Sequence, residues 1–116
     1  MKATLTESDF MSNKTDKSKL PGIKFDGEKL KWHLVVWEYY ESVVKVLMFG
    51  AKKYAADNWK KVPGRRQRYK DALIRHAVLY IKGEKIDPET GESHLSGIGC
   101  NCMFLFWMDL TNDKGS

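Results

Sequence analysis

Between Trp32 and Phe49 the sequence reads WHLVVWEYYESVVKVLMF, and this segment limits the fold more than any other. On a helical wheel at about 100° per residue, Val36, Tyr40, Val43 and Leu47 form one apolar face. Trp37, Val44 and Met48 widen it on one side, and Val35, Tyr39 and Val46 cover much of the other. Only Glu38, Glu41, Ser42 and Lys45 remain as a narrow polar stripe. A helix so apolar should be largely buried. A chain of 116 residues has only a modest core in which to bury it. The expectation is therefore an all-α domain, a small helical bundle of about three main helices completed by oligomerisation with another copy.

The remaining punctuation supports that reading. Gly50 is a natural stop for the first helix. Pro63-Gly64 breaks the chain before a second helix over about 65–82, which Gly83 closes. The acidic loop GEKIDPETG precedes a last helix over about 92–110. No convincing strand alternation is present. Residues 1–20, rich in Ser, Thr and Lys, read as a flexible arm, 21–112 as a single helical domain and 113–116 as a frayed tail. The arm lacks the apolar stretch of a secretory signal, and no apolar run reaches membrane length, so the cytoplasm is the expected compartment, with no membrane partner. Cys100 and Cys102 stand two residues apart in a helix and point to different sides, which suits reduced, packed thiols. Alone they would undersupply a metal site.

Carboxylates are the most informative chemistry. Glu38 and Glu41 are three residues apart on the apolar helix, so they are neighbours. Either the stripe faces water with Lys45 paired to Glu41, or the two acids hold a divalent metal, with oxygen donors suited to Mg2+ or Mn2+. Glu84, Asp87, Glu89 and Glu92 crowd the acidic loop, which is either simply solvated or the other half of such a cradle. His94 and Asn101 are seven apart on one face of the last helix, and His94 would orient an acid or touch a substrate. His76, beside Tyr69, Leu73 and Tyr80, reads as packing or as support for the site. Arg68, Asp71 and Arg75 share the more polar side of the second helix. From Lys60 to Lys70 there are six basic residues and no acidic one, within a net charge of +5. Such a run attracts phosphate, on a nucleotide or a nucleic acid, but no nucleic-acid docking element accompanies it. Phosphate-loop, dinucleotide-turn and zinc signatures are all missing.

The blocks KFDGEKLKW, FGAKKYAADNW, RYKDALIRH, GEKIDPETGESHL and CN, in this order, resemble a family found mainly in bacteriophages. Its members are described as dATP/dGTP diphosphohydrolases and are related to the all-α, MazG-like nucleoside triphosphate pyrophosphatases. The resemblance runs from about Ile23 to Leu105. It implies a metal-dependent enzyme that converts a purine (deoxy)nucleoside triphosphate to monophosphate and pyrophosphate, in the host cytoplasm if phage-encoded. It implies that Glu38 and Glu41 match the first acidic pair, with Glu41 as the acid that orients or deprotonates water. Glu84 and Asp87 match the second pair by spacing, although the usual second pair lies within a helix. Asp87, Glu89 and His94 match a D-x-E-[ST]-G-x-x-H block. In a substrate site, Lys52 and Lys53 would meet phosphates, Asn58 a base or sugar edge, and Tyr54 or Trp59 the face of the base. Arg75, His94 and Asn101 complete the expected substrate contacts. For Trp59, an aromatic lid over the core is an equal reading. The rival class is a non-catalytic binder that sequesters a nucleotide to counter host defence.

Overall fold

The computed structural model describes residues 19–116. The chain divides into two compact units, Met1–Leu34 and Val35–Ser116. The expected arm lies almost wholly outside the described residues. In the described part of the first unit, Lys29 N–H closes a turn onto Asp26 O at 3.0 Å, and a 3-10 turn covers Trp32–Leu34. Phe25, Leu30, Trp32 and Leu34 are all exposed, and none of residues 19–34 is buried.

The second unit is all-α, with helices α1 (Trp37–Lys53), α2 (Arg65–Ile81) and α3 (His94–Leu110). A 3-10 turn at Asn58–Lys60 lies between α1 and α2. The boundaries of α1 differ from expectation at both ends. It starts at Trp37, and it passes through Gly50 to Lys53, with Tyr54 N–H bonded to Gly50 O at 2.9 Å. Gly50 lacks the positive φ of a helix stop, so its backbone simply continues the ladder. Gly83 does act as a stop: at φ 106° it allows Gly83 N–H to reach Tyr80 O and Glu84 N–H to reach Leu79 O, each at 3.0 Å. This paired bonding satisfies carbonyls that the end of α2 would otherwise leave open. Helix α3 starts where the Ser93 side chain accepts the Leu95 N–H at 3.1 Å.

Packing centres on α3, which touches both other helices. Small residues on α3 permit this. A Cβ on Gly99 would strike the Tyr39 hydroxyl and come within 3.0 Å of Val43, so α1 sits close against the α3 backbone there. Nearby, Tyr39 OH donates to Leu95 O at 2.9 Å, and Ser42 and Ser96 hydroxyls bond at 2.6 Å. Among the described residues the buried large apolar side chains are Val43, Cys100 and Met108, accompanied by buried His94, Ser96 and Asn101. The expected burial of α1 is not met within the second unit. Trp37, Tyr40, Val44 and Met48 are exposed, because α3 covers only one side of the helix. Residues 113–116, expected to fray, are tied down. Arg65 Nε donates to Asp113 Oδ2 at 2.9 Å, Arg66 Nη2 donates to Asp113 O at 2.8 Å, and Gly115 is buried. No described helix is long and apolar enough to cross a membrane.

Candidate active site

Within the second unit, the C-terminal half of α1, the loop after it, α2, the acidic loop and α3 enclose a cleft of about 830 Å³. That volume lies in the range of small-molecule sites. Its lining mixes cations with histidines and carboxylates. One region carries Lys53, Tyr54 and Asn58 from the end of α1 and its loop, with Arg68 and Arg75 from α2. Another carries His76, Asp87, Glu89, Thr90, Ser93 and His94, and Gly97 and Asn101 of α3 also line the cleft.

The acidic loop owes its shape to its own backbone. Asp87 N–H reaches Glu92 O and Gly91 N–H returns to Asp87 O, both at 2.8 Å, with Gly91 at φ 76°. Asp87 Oδ1 accepts the Glu89 N–H at 2.9 Å. His94 N–H bonds to Lys85 O at 2.9 Å, which fastens the first residue of α3 to the start of the loop. An isolated antiparallel bridge, Ile86 to Ser93, closes the same turn.

Beneath the loop lies a chain of titratable groups. Glu84 Oε2 is 2.8 Å from His94 Nε2, and His94 Nδ1 is 2.8 Å from His76 Nδ1. His94 is 1% exposed, so both of its ring nitrogens must be satisfied within the protein. Burial holds the His76 imidazole below its ordinary pKa; Asp87 and Glu89 oppose this, while His94 and Arg75 reinforce it. Lys53 donates to Glu89 Oε1 at 3.0 Å, and that hydrogen bond holds its ammonium above the ordinary value.

The expected residues therefore separate. Lys53, Tyr54, Asn58, Trp59, Arg75, Asp87, Glu89, His94 and Asn101 all line the cleft. Lys52 does not, and is exposed. Glu84 does not line it but stands behind His94. Glu38 and Glu41 are exposed on α1 and do not line the cleft. Thus the five carboxylates expected to hold magnesium do not converge among the described residues. One such group of potential ligands does converge: His76, Asp87 and His94, with donor atoms within 4.8 Å of one another. Trp59 stacks on Phe104 at 4.4 Å between ring centroids and meets Trp107 edge-on at 5.1 Å. Its contacts are those of a lid over the core. Asn101 Nδ2 donates to Gly97 O at 2.8 Å within its own helix. The sequence pattern did not place His76 or Arg68 among the candidate site residues, yet both line the cleft. The hint was available in His76, the one polar member of an otherwise aromatic and aliphatic row with Tyr69, Leu73 and Tyr80.

The basic run after the turn is also reassigned. Arg65 and Arg66 bind Asp113 and Asp109, and Lys60 pairs with Asp57 at 3.2 Å. Three of its six cations are thus engaged within the chain.

Residues 19–115 match the family described as dATP/dGTP diphosphohydrolase, N-terminal. The chain belongs to this family. A relative from Salmonella phage PMBT28, named dATP/dGTP diphosphohydrolase, is 35% identical over 89 residues, which are 77% of this chain. The match spans 30% of that relative's length. No solved structure matches the chain significantly. Four of the five family blocks seen in the sequence, FGAKKYAADNW, RYKDALIRH, GEKIDPETGESHL and CN, contribute residues to the cleft.

Proposed function

We propose that the cleft binds a purine (deoxy)nucleoside triphosphate and hydrolyses it to monophosphate and pyrophosphate. The observation that carries this reading is the meeting of Lys53, Arg68 and Arg75 with His76, Asp87 and His94 in one cleft of a chain of this family. The name of the phage relative supports the substrate class. In the reaction, water adds to the α-phosphorus, the bond to the bridging oxygen breaks, and pyrophosphate leaves. Lysine and arginine at the cleft offset phosphate charge, and guanidinium groups can do so bidentately. Tyr54, an exposed ring beside Lys53, offers a face to the base, and Asn58 offers amide donors and acceptors to its edge. Lys53 and Glu89 are both well exposed, so water screens their attraction and the pair holds Lys53 only weakly. A phosphate can therefore take Lys53 at small cost and leave Glu89 to orient the attacking water.

The resemblance also implies a divalent cation, Mg2+ or Mn2+. When bound, such an ion neutralises phosphate charge and lowers the pKa of bound water. His76, Asp87 and His94 are the residues that would hold it, and of the two ions their nitrogen donors suit Mn2+. Glu38 and Glu41 would enter the reaction only through a second copy, and the exposed apolar row on α1 supports the expected homo-oligomer.

The test is incubation of the folded chain with each nucleoside triphosphate and a divalent cation, with chromatography of the products. Monophosphate and pyrophosphate in equal amounts are expected, fastest from dATP or dGTP; no turnover of any triphosphate refutes the enzyme reading. Asp87→Ala should abolish turnover. Loss of turnover in Glu41→Ala, with helicity intact, would require Glu41 in the working site, and sedimentation would then show whether a second copy supplies it. The position of Glu38 and Glu41 outside the cleft favours one second reading, a nucleotide binder without catalysis. Tight binding with unaltered nucleotide recovered after denaturation would establish it.

A further inference from the structure

We propose that His76, Asp87 and His94 form a binding site for a divalent first-row transition ion, with Glu84 as the carboxylate that orients His94. The donors come from three elements: α2, the acidic loop and the first residue of α3. Their ligand atoms lie within 4.8 Å of one another although their positions span 18 residues.

Each donor is aimed by something outside the triad. Glu84 Oε2 lies 2.8 Å from His94 Nε2, so the Nε2–H donates to it and the Nδ1 lone pair faces His76. A carboxylate on the far ring nitrogen is how proteins commonly fix the tautomer and direction of a metal-binding imidazole. Glu84 is itself placed by its N–H bond to Leu79 O at 3.0 Å, at the end of α2. The His76 ring rests against Gly97, where an added Cβ would lie 2.7 Å from Nε2; the α3 backbone thus holds the ring with Nδ1 towards His94. Asp87 Oδ1 is fixed by the Glu89 N–H, which leaves Oδ2 for a ligand.

Donor chemistry then selects the ion. Magnesium prefers a nearly all-oxygen octahedron, whereas two imidazoles favour manganese, iron, cobalt, nickel or zinc. All three donors line the cleft, so the remaining coordination positions face its interior. The proposal rests on the hydrolase reading only for what fills those positions, namely water and phosphate oxygen.

The experiment uses the chelator-stripped chain, titrated separately with Co2+, Mn2+ and Mg2+. Calorimetry reads affinity, and the visible absorption of Co2+ reports its ligands. We expect one Co2+ per chain, bound more tightly than Mg2+, with a spectrum that His76→Asn and Asp87→Asn abolish. Glu84→Gln should weaken Co2+ by about 10- to 100-fold without changing far-UV circular dichroism. Asp71→Asn, on α2 away from the cleft, should bind as the parent does. No Co2+ binding, Mg2+ binding tighter than Co2+, or a spectrum unchanged in both His76→Asn and Asp87→Asn would overturn the site, leaving a hydrogen-bonded histidine pair. Co2+ bound by the triad without hydrolysis of any triphosphate keeps the site and refutes the hydrolase reading. Hydrolysis without Co2+ binding does the reverse.

Discussion

Replacing Gly97 by alanine tests the closest approach in the candidate site. An alanine within a helix ordinarily gains about 0.5–1 kcal/mol over glycine. At Gly97 the new Cβ would fall 2.7, 2.8 and 2.9 Å from three atoms of the His76 ring. Either the ring swings away and loses its contact with His94, or α2 moves off α3. Overpacking of this kind costs about 1–3 kcal/mol, and the lost hydrogen bond adds about 1 kcal/mol. The net expectation is a loss of about 1–3 kcal/mol. At roughly 4–8 °C per kcal/mol for a domain of this size, Tm should fall by about 5–20 °C. Gly50→Ala is the matched comparison. It is also helical, but nothing lies within 4 Å of its added Cβ, so it should gain about 0.5–1 kcal/mol. Thermal melts followed by circular dichroism read both. A Gly97→Ala chain as stable as the parent would refute the packing argument. A destabilised Gly50→Ala chain would return the helix stop to Gly50.

Three other outcomes follow from the same geometry. Lys53→Ala should weaken triphosphate binding by about 10-fold or more, the scale of one charge-assisted hydrogen bond, and calorimetry with a non-hydrolysable analogue reads it. Arg65 holds the Asp113 carboxyl below its ordinary 3.8, so the clasp on the tail is fully present above that pH and is lost as pH falls through the lower folded value; Asp113→Asn should remove this part of the acid unfolding curve. Burial pushes the Cys100 thiol up to about 11, whereas Cys102 is exposed, so alkylation of the folded chain at mildly alkaline pH should modify Cys102 alone and Cys102→Ser should abolish fast labelling.

Much of the helical layout is legible in the amino-acid sequence. The period of 3.6 residues, the Pro63-Gly64 break and the Gly83 stop are local signals, and local backbone preferences carry them. The acidic loop is legible for the same reason: Asp87, Gly91 and Ser93 shape it through bonds to near neighbours in the chain. Gly50 misleads because a glycine signals an end only where the backbone takes positive φ, and helix continuity beyond it is not visible in composition.

Pairings between elements are decided by tertiary structure alone. Glu38 and Glu41 have the right spacing for a metal pair, but spacing fixes only which residues share a helix face. Whether that face meets the acidic loop depends on how α3 lies against α1, and it covers the side that carries Tyr39 and Val43. His76 looks like packing because its partner, His94, stands 18 residues away on another helix. The sequence by itself determined three helices, an acidic loop and a family. Only the fold decided that His76, Asp87 and His94 come together in the cleft, with Gly97 against the His76 ring and Glu84 behind His94. The physical reason is that helix formation reads neighbours in the chain, whereas a site is made by side chains whose separation is set by packing.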